Sequence, residues 1–350
     1  MMNEIIPNLL DCTIRDGSYA TGFYWDAEML RCIVSALSGF GIEYIEIGNG
    51  TGMGACRKLA NALSDREYYD NTLPYKGNSK IGSFFIPGIG TEDDLRVFRE
   101  SGGDFVRIGA NVTELKDTYH YIGLAKRLGF FVTCNLMKTY ALSKFQLVSN
   151  IKNLIDCGVD CIYIVDSSGG MLPNQVEDYF KAIQAFYDIP LGFHGHNNLL
   201  LANANSLKAI ECGAVLVDST LGGLGRGAGN AQTESMIAIL QKLQNVKDKT
   251  NLIALSNLSD SVMSKLNGIV IKGCSKREII EGVSNFHSSF TSLLEDVAQM
   301  YNVDPEQLLM EVSKVNVVDP SRDLFELVAK SLVSEKKYSV FMPRYYHKKL

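Results

Sequence analysis

Two histidines one residue apart, His194 and His196 in GFHGHNN, carry the strongest chemical signal in the chain. Alternate residues of an extended segment share a face, so the two imidazoles project together and can grip one ion. Two imidazoles plus a carboxylate is a recurrent ligand set for a catalytic divalent metal, with positions left to water or substrate. Asp16, in Arg15-Asp16-Gly17, is the expected third ligand. A strict strand would point Arg15 and Asp16 apart, so Asp16 is placed just past the strand end, where Gly17 lets the chain turn. Other polar groups stand at similar places: Arg107 in FVRIG, Asp166-Ser167-Ser168 after CIYIV, and the loop LGGLGRGAGNA. The glycines of that loop fit either an anion cradle or a tight turn into the helix AQTESMIAILQKL, for which Asn230 is a natural N-cap.

These groups can meet only if the fold gathers the ends of separate runs. Short β-type runs start at Leu9, Tyr44, Lys80, Phe105, Phe131, Cys161, Leu191 and Leu216, the first being LLDCTIR. The starts lie 25–36 residues apart, room for a strand, a helix and two loops, which is the unit that places successive strands parallel. AEMLRCIVSALSGFG, TEDDLRVFRESGG and NANSLKAIECGA show helical spacing and stop at Gly. Eight such units predict an α/β fold, a closed (β/α)8 TIM barrel, in which polar residues at the C-terminal strand ends converge. A doubly wound open sheet is the competitor; the roughly 250 residues of a typical barrel match the stretch to Lys249 and favour closure. The barrel is assigned to residues 1–250. Strand signals then stop, and 251–332 reads as an appended C-terminal helical region, with Asp304-Pro305 starting one of its helices. A basic, aromatic tail occupies 333–350.

Composition bounds the function. With 350 residues, 46% hydrophobic and 21% charged, the chain can bury a full core. A formal charge of −5 and no basic stripe before the last twenty residues argue against nucleic acid as a partner. No apolar run approaches the roughly 18–20 residues of a membrane span, and the N-terminus lacks a signal-peptide pattern, so a cytoplasmic protein is expected. The eight cysteines are scattered without a CxxC and are read as reduced thiols.

LLDCTIRDG, PGIGTEDDL, VRIGANVTE, YIVDSSGGM, GFHGHNNLLLANANSLKAIECGA, VDSTLGGLGRGAGNA and HSSF, in this order, resemble the pattern of the 4-hydroxy-2-oxovalerate aldolases. These belong to a wider group that includes hydroxymethylglutaryl-CoA lyase and isopropylmalate synthase. The resemblance covers roughly residues 9 to 310. It implies a barrel lyase with a divalent ion, commonly Mn2+ or Mg2+, at the positions matching Asp16, His194 and His196, with Asn230 near or on the metal. Arg15 matches the arginine that steadies a pyruvate enolate, and Ser167 lies in the motif that lines the substrate carboxylate. The implied substrates are a small 2-oxo acid and an aldehyde; an acylating aldehyde dehydrogenase partner and a homo-oligomer are further implications.

Two positions depart from the family pattern. Where the aldolases carry the histidine expected as general base, two residues after RDG, this chain has Tyr19; where they carry the tyrosine of YSSF, it has His287. An exchange of roles would keep an imidazole and a phenol available, with His287 as the base; simple packing of His287 is the alternative. Two other functions compete with the aldolase: a Claisen-type enzyme condensing an acyl-CoA with a 2-oxo acid, and a non-catalytic partner subunit.

Overall fold

The computed structural model describes residues 8–59, 62–244, 251–266 and 276–336. Eight parallel strands close into a barrel in chain order, β1 pairing with both β2 and β8. They are β1 (Asn8–Asp11), β2 (Tyr44–Ile47), β3 (Lys80–Phe85), β4 (Phe105–Asn111), β5 (Phe131–Met137), β6 (Cys161–Asp166), β7 (Leu191–Gly195) and β8 (Leu216–Ser219). Helices follow the strands and stop as their sequences require. Asp26 caps Ala27–Gly39, Thr91 and Asp94 form a capping box on Glu92–Glu100, and Asp304 with Pro305 starts Pro305–Ser313.

Strand alternation builds the barrel interior in layers. Leu10, Tyr44, Phe105, Tyr163 and Leu216 pack together at its base. Two residues on along their strands, and so on the same face, stand Glu46, Arg107 and Asp218, all buried. Glycine makes room for the aromatic rings: a Cβ at Gly82 would lie 2.1 Å from the Phe105 ring, and one at Gly192 would lie 2.5 Å from the Tyr163 ring. The opposite strand faces join the helices in a larger apolar cluster.

Three sequence-level boundaries move. The run LLDCTIR is not one strand: β1 ends at Asp11, and Thr13–Gly17 is a helical turn whose Thr13 N–H is accepted by Asp11 Oδ1 at 2.9 Å. The helix Leu252–Lys265 belongs with the barrel rather than with the appended region, because Leu255 and Val262 are buried in the barrel's own cluster. The appended helices Lys276–Ser284, Thr291–Tyr301, Pro305–Ser313 and Arg322–Lys336 form a second core around Phe286, Leu294, Leu309 and Phe325. The last of them runs four residues past the expected end at 332; residues 337–350 of the expected tail lie outside the described ones.

The appended region sits on the C-terminal mouth of the barrel. A Cβ at Gly170, in the loop after β6, would come within 2.1 Å of the Gly282 carbonyl oxygen, so the two backbones meet directly. Lys138, just past β5, donates to the Val318 carbonyl.

Candidate active site

The helical turn after β1 presents Arg15 and Asp16 side by side, both buried. The turn is held from several directions: Trp25 Nε1 donates to the Ile14 carbonyl at 3.0 Å, and Leu221 N–H donates to Thr13 Oγ1 at 2.8 Å. Arg15 donates from Nε to Glu46 Oε2 at 2.7 Å and from Nη1 to Asp16 Oδ1 at 2.6 Å. The chain of charges continues inward. Arg107 Nη1 donates to the same Glu46 oxygen at 2.9 Å, and Arg107 Nη2 donates to Asp218 Oδ2, which lies 2.7 Å from His194 Nδ1. Asp16, Arg15, Glu46, Arg107, Asp218 and His194 thus form one buried line of alternating charge and imidazole.

That line sets the tautomer of His194. The Asp218 carboxylate accepts a hydrogen bond from Nδ1–H, which keeps the proton there and leaves the lone pair on Nε2; the Gly229 carbonyl, 3.3 Å from Nδ1 of His196, does the same for the second ring. The two Nε2 atoms stand 3.4 Å apart, and ligand atoms of Asp16, His194 and His196 all lie within 4.8 Å of one another. Lone pairs and a carboxylate converging on one point are stabilised by a cation, so the donor set fits a divalent ion. Protonation states agree. Burial would raise the Asp16 carboxyl, but the adjoining Arg15 guanidinium holds it well below the ordinary carboxylate range. His196 is pushed down to about 3, chiefly by burial, so its ring is neutral as a ligand must be.

Asn230 is not an N-cap, since the following helix starts at Thr233. Its Nδ2 donates to Asp16 Oδ2 and to the Leu224 carbonyl, while the buried Oδ1 has no partner. The glycine loop is a wall rather than an anion cradle. Amides of Gly222, Gly223, Leu224, Ala228, Gly229 and Asn230 already donate within the protein. A Cβ at Gly225 would lie 2.1 Å from Asn230 Nδ2 and 2.8 Å from Asp16 Oδ2, which explains the glycine.

A cavity of about 250 Å³ opens over this cluster, and Arg15, Asp16, Tyr19, Ser167, His194, His196 and His287 all line it. Tyr19 and His287, far apart in the chain, therefore face the same space. Ser167 Oγ accepts the Lys138 N–H at 2.9 Å. His287 Nδ1 accepts the Ser289 N–H at 3.2 Å and lies 2.7 Å from Ser289 Oγ. Burial, then the Arg226 and Lys138 charges, push His287 well below the ordinary imidazole value, so the ring is neutral. Sequence reading passed over Glu46, Asp218, Lys138 and Arg226. Glu46 and Asp218 did leave a trace: each is a lone charge inside an otherwise apolar strand, YIEI and LVDS.

A closed parallel barrel with an Asp-His-His cluster beside a buried arginine at its C-terminal mouth defines a (β/α)8 enzyme of the metal-binding kind. The chain belongs to the HMGL-like family, which it matches over residues 6–262. It is 33% identical to the 4-hydroxy-2-oxovalerate aldolase of Pelotomaculum thermopropionicum over 95% of this chain and 98% of that one. Identity to the aldolase of the same name from Geobacillus stearothermophilus is also 33%, over 95% and 97% of the two chains. Among solved structures, the carboxyl transferase domain of Rhizobium etli pyruvate carboxylase superposes with a TM-score of 0.79 at 14% identity, covering 95% of this chain and 61% of that one, a likeness of fold. The chain is thus an enzyme, a lyase of the aldolase type. No helix of the described residues is long and apolar enough to cross a membrane.

Proposed function

We propose that the enzyme cleaves a 4-hydroxy-2-oxo acid to a pyruvate-type 2-oxo acid and an aldehyde, or runs the addition in reverse. The convergence of three ligand atoms and the Arg15 guanidinium on one cavity carries this reading. Asp16, His194 and His196 would hold a divalent ion, Mn2+ or Mg2+, with the unpartnered Asn230 Oδ1 nearby. When bound, the ion supplies Lewis-acid polarisation of the 2-keto oxygen. In cleavage the C3–C4 bond breaks, C4 becomes the aldehyde carbonyl as its hydroxyl proton leaves, and the bond's electron pair passes into the enolate of the 2-oxo acid. A proton then returns to C3.

Arg15 faces the oxygen on which negative charge develops. Its Nε and Nη1 are held by Glu46 and Asp16 and its guanidinium lies 5.0 Å from the Phe84 ring centroid, so the group is oriented before substrate arrives. The Ser167 hydroxyl hydrogen remains available to the substrate carboxylate, since its oxygen accepts from Lys138 N–H. Tyr19 and His287 are the groups for the C4 oxygen. His287 is in the neutral state a base requires; with Nδ1 accepting the Ser289 N–H its proton sits on Nε2, so a base role at Nε2 requires the ring to change tautomer, giving up that bond and donating Nδ1–H to Ser289 Oγ instead.

The test is exchange of pyruvate methyl protons with deuterium oxide, followed by aldol cleavage, on protein stripped of metal and then resupplied. Both activities should return with a divalent ion. Metal-independent turnover would overturn the reading, and thiol release from acetyl-CoA mixed with a 2-oxo acid would mark a Claisen condensation instead.

A further inference from the structure

Among the described residues lining the cavity there is one carboxylate, Asp16, against three cations, Arg15, Lys138 and Arg226. Asp16 is already paired with Arg15. Neither Lys138 nor Arg226 lies within ion-pairing distance of a carboxylate among the described residues. Lys138 is only 6% exposed, and its ammonium donates to a neutral acceptor, the Val318 carbonyl, 5.2 Å from the Phe290 ring centroid. Its backbone is held at a φ of +57°, a conformation that a long side chain rarely adopts. Arg226 lies over the Tyr19 ring, Cζ 3.9 Å from the centroid, with Nη1 3.4 Å from His287 Nδ1. Arg226 thus borders both groups assigned to the C4 oxygen, and the Lys138 charge reaches His287.

A simple 2-oxo acid brings one negative charge, which Arg15, Ser167 and a divalent ion would satisfy. Its aldehyde partner, if neutral, would leave these two cations without a counter-charge in a site closed to water. The geometry points to a substrate with a second anionic group, a carboxylate or phosphate on the aldehyde-derived half, bound between Lys138 and Arg226. The inference rests on the aldolase reading for which half of the substrate lies there. The ammonium is correspondingly easy to discharge when nothing binds: burial pushes Lys138 down to about 8, against the pull of Asp319 and Glu114. A cavity of about 250 Å³ limits the anionic half to a few carbons.

Calorimetric titration of the whole enzyme with 2-oxoglutarate and with 2-oxopentanoate, the same chain length with and without the distal charge, measures the preference without requiring turnover. Rates of pyruvate addition to succinic semialdehyde against butanal, and to glyceraldehyde 3-phosphate against glyceraldehyde, separate a carboxylate from a phosphate. At least one anionic member should be favoured by about tenfold or more, the value of a charge-assisted hydrogen bond. That ratio should fall towards one in Lys138→Met and in Arg226→Gln, the second at a half-buried side chain, each read on protein that melts cooperatively. No anionic preference in the wild-type enzyme, or one retained in both variants, overturns the assignment. If pyruvate proton exchange persists while the preference is missing, the aldolase reading stands and this inference alone falls; if exchange itself is missing, the aldolase reading falls and the titration still decides this one.

Discussion

Arg15 shows how one side chain is prepared for a single task. Two of its nitrogens are spent on Glu46 and Asp16, so the guanidinium cannot turn away from the cavity. Lysine would keep the charge and lose the planar fork. Arg15→Lys should bind metal normally and lose at least about 10²-fold in kcat, as enzymes do when an oxyanion donor is removed; near-normal turnover would show the fork to be dispensable. Asp218 fixes the His194 tautomer and so would act one step back from an ion held there. Asp218→Asn should weaken metal affinity by about 10–100-fold, read by metal titration of folded protein, and an unchanged affinity would sever the link. His287→Ala should cost aldol cleavage about 10²–10⁴-fold while pyruvate proton exchange suffers less; Tyr19→Phe should cost less than either loss. If His287 only packs, the variant melts earlier and its kcat and pH profile stay as they were.

The appended helices are what bring His287 to the barrel. Lys276–Ser284 lies on the mouth through Gly282 against Gly170, and Glu281 on this helix is buried, 3.4 Å from both Asn198 Nδ2 and Thr291 Oγ1. Burial, reinforced by the Glu278 charge, pushes the Glu281 carboxyl up to about 7 from an ordinary 4.5. The folded state therefore holds a proton that the unfolded chain gives up between these two values. Its contribution to stability is complete below about 4.5 and is lost as pH rises through 7. Glu281→Gln, which keeps the amide-like shape without the charge, should flatten the fall in Tm between pH 5 and pH 8. A parallel fall in both proteins would place the effect elsewhere.

At the scale of the whole molecule, the site joins residues from 15 to 289 in sequence, and an ion held there ties β1, β7 and their following loops together. A ligand that binds only the folded state stabilises it by about 2.7 kcal/mol at a hundredfold excess over its Kd. Saturating Mn2+ or Mg2+ should raise Tm in the wild type and leave an Asp16→Asn, His194→Ala double variant unmoved; an equal rise in both would put the ion elsewhere. Seven of the eight strand starts to the residue and the first to within one, the closed order and the pairing of His194 with His196 were legible from the sequence, because period-two and helical spacing are local properties and HxH needs only one strand. Asp16 was rightly placed in a turn past the strand, but the turn starts earlier than read, taking in Thr13 to Arg15, because nothing in LLDCTIRDG marks the point where Asp11 captures Thr13 N–H. Arg107 was read as one of the strand-end polar groups and Glu46 and Asp218 were passed over; only barrel closure, bringing β2, β4 and β8 onto one axis, makes the three buried partners beneath the site. The same holds for Lys138 and Arg226, whose lack of a counter-charge among the described residues depends on neighbours in space rather than in sequence. Local periodicity sets which elements form; long-range contact decides which charges are satisfied and which are left for a substrate.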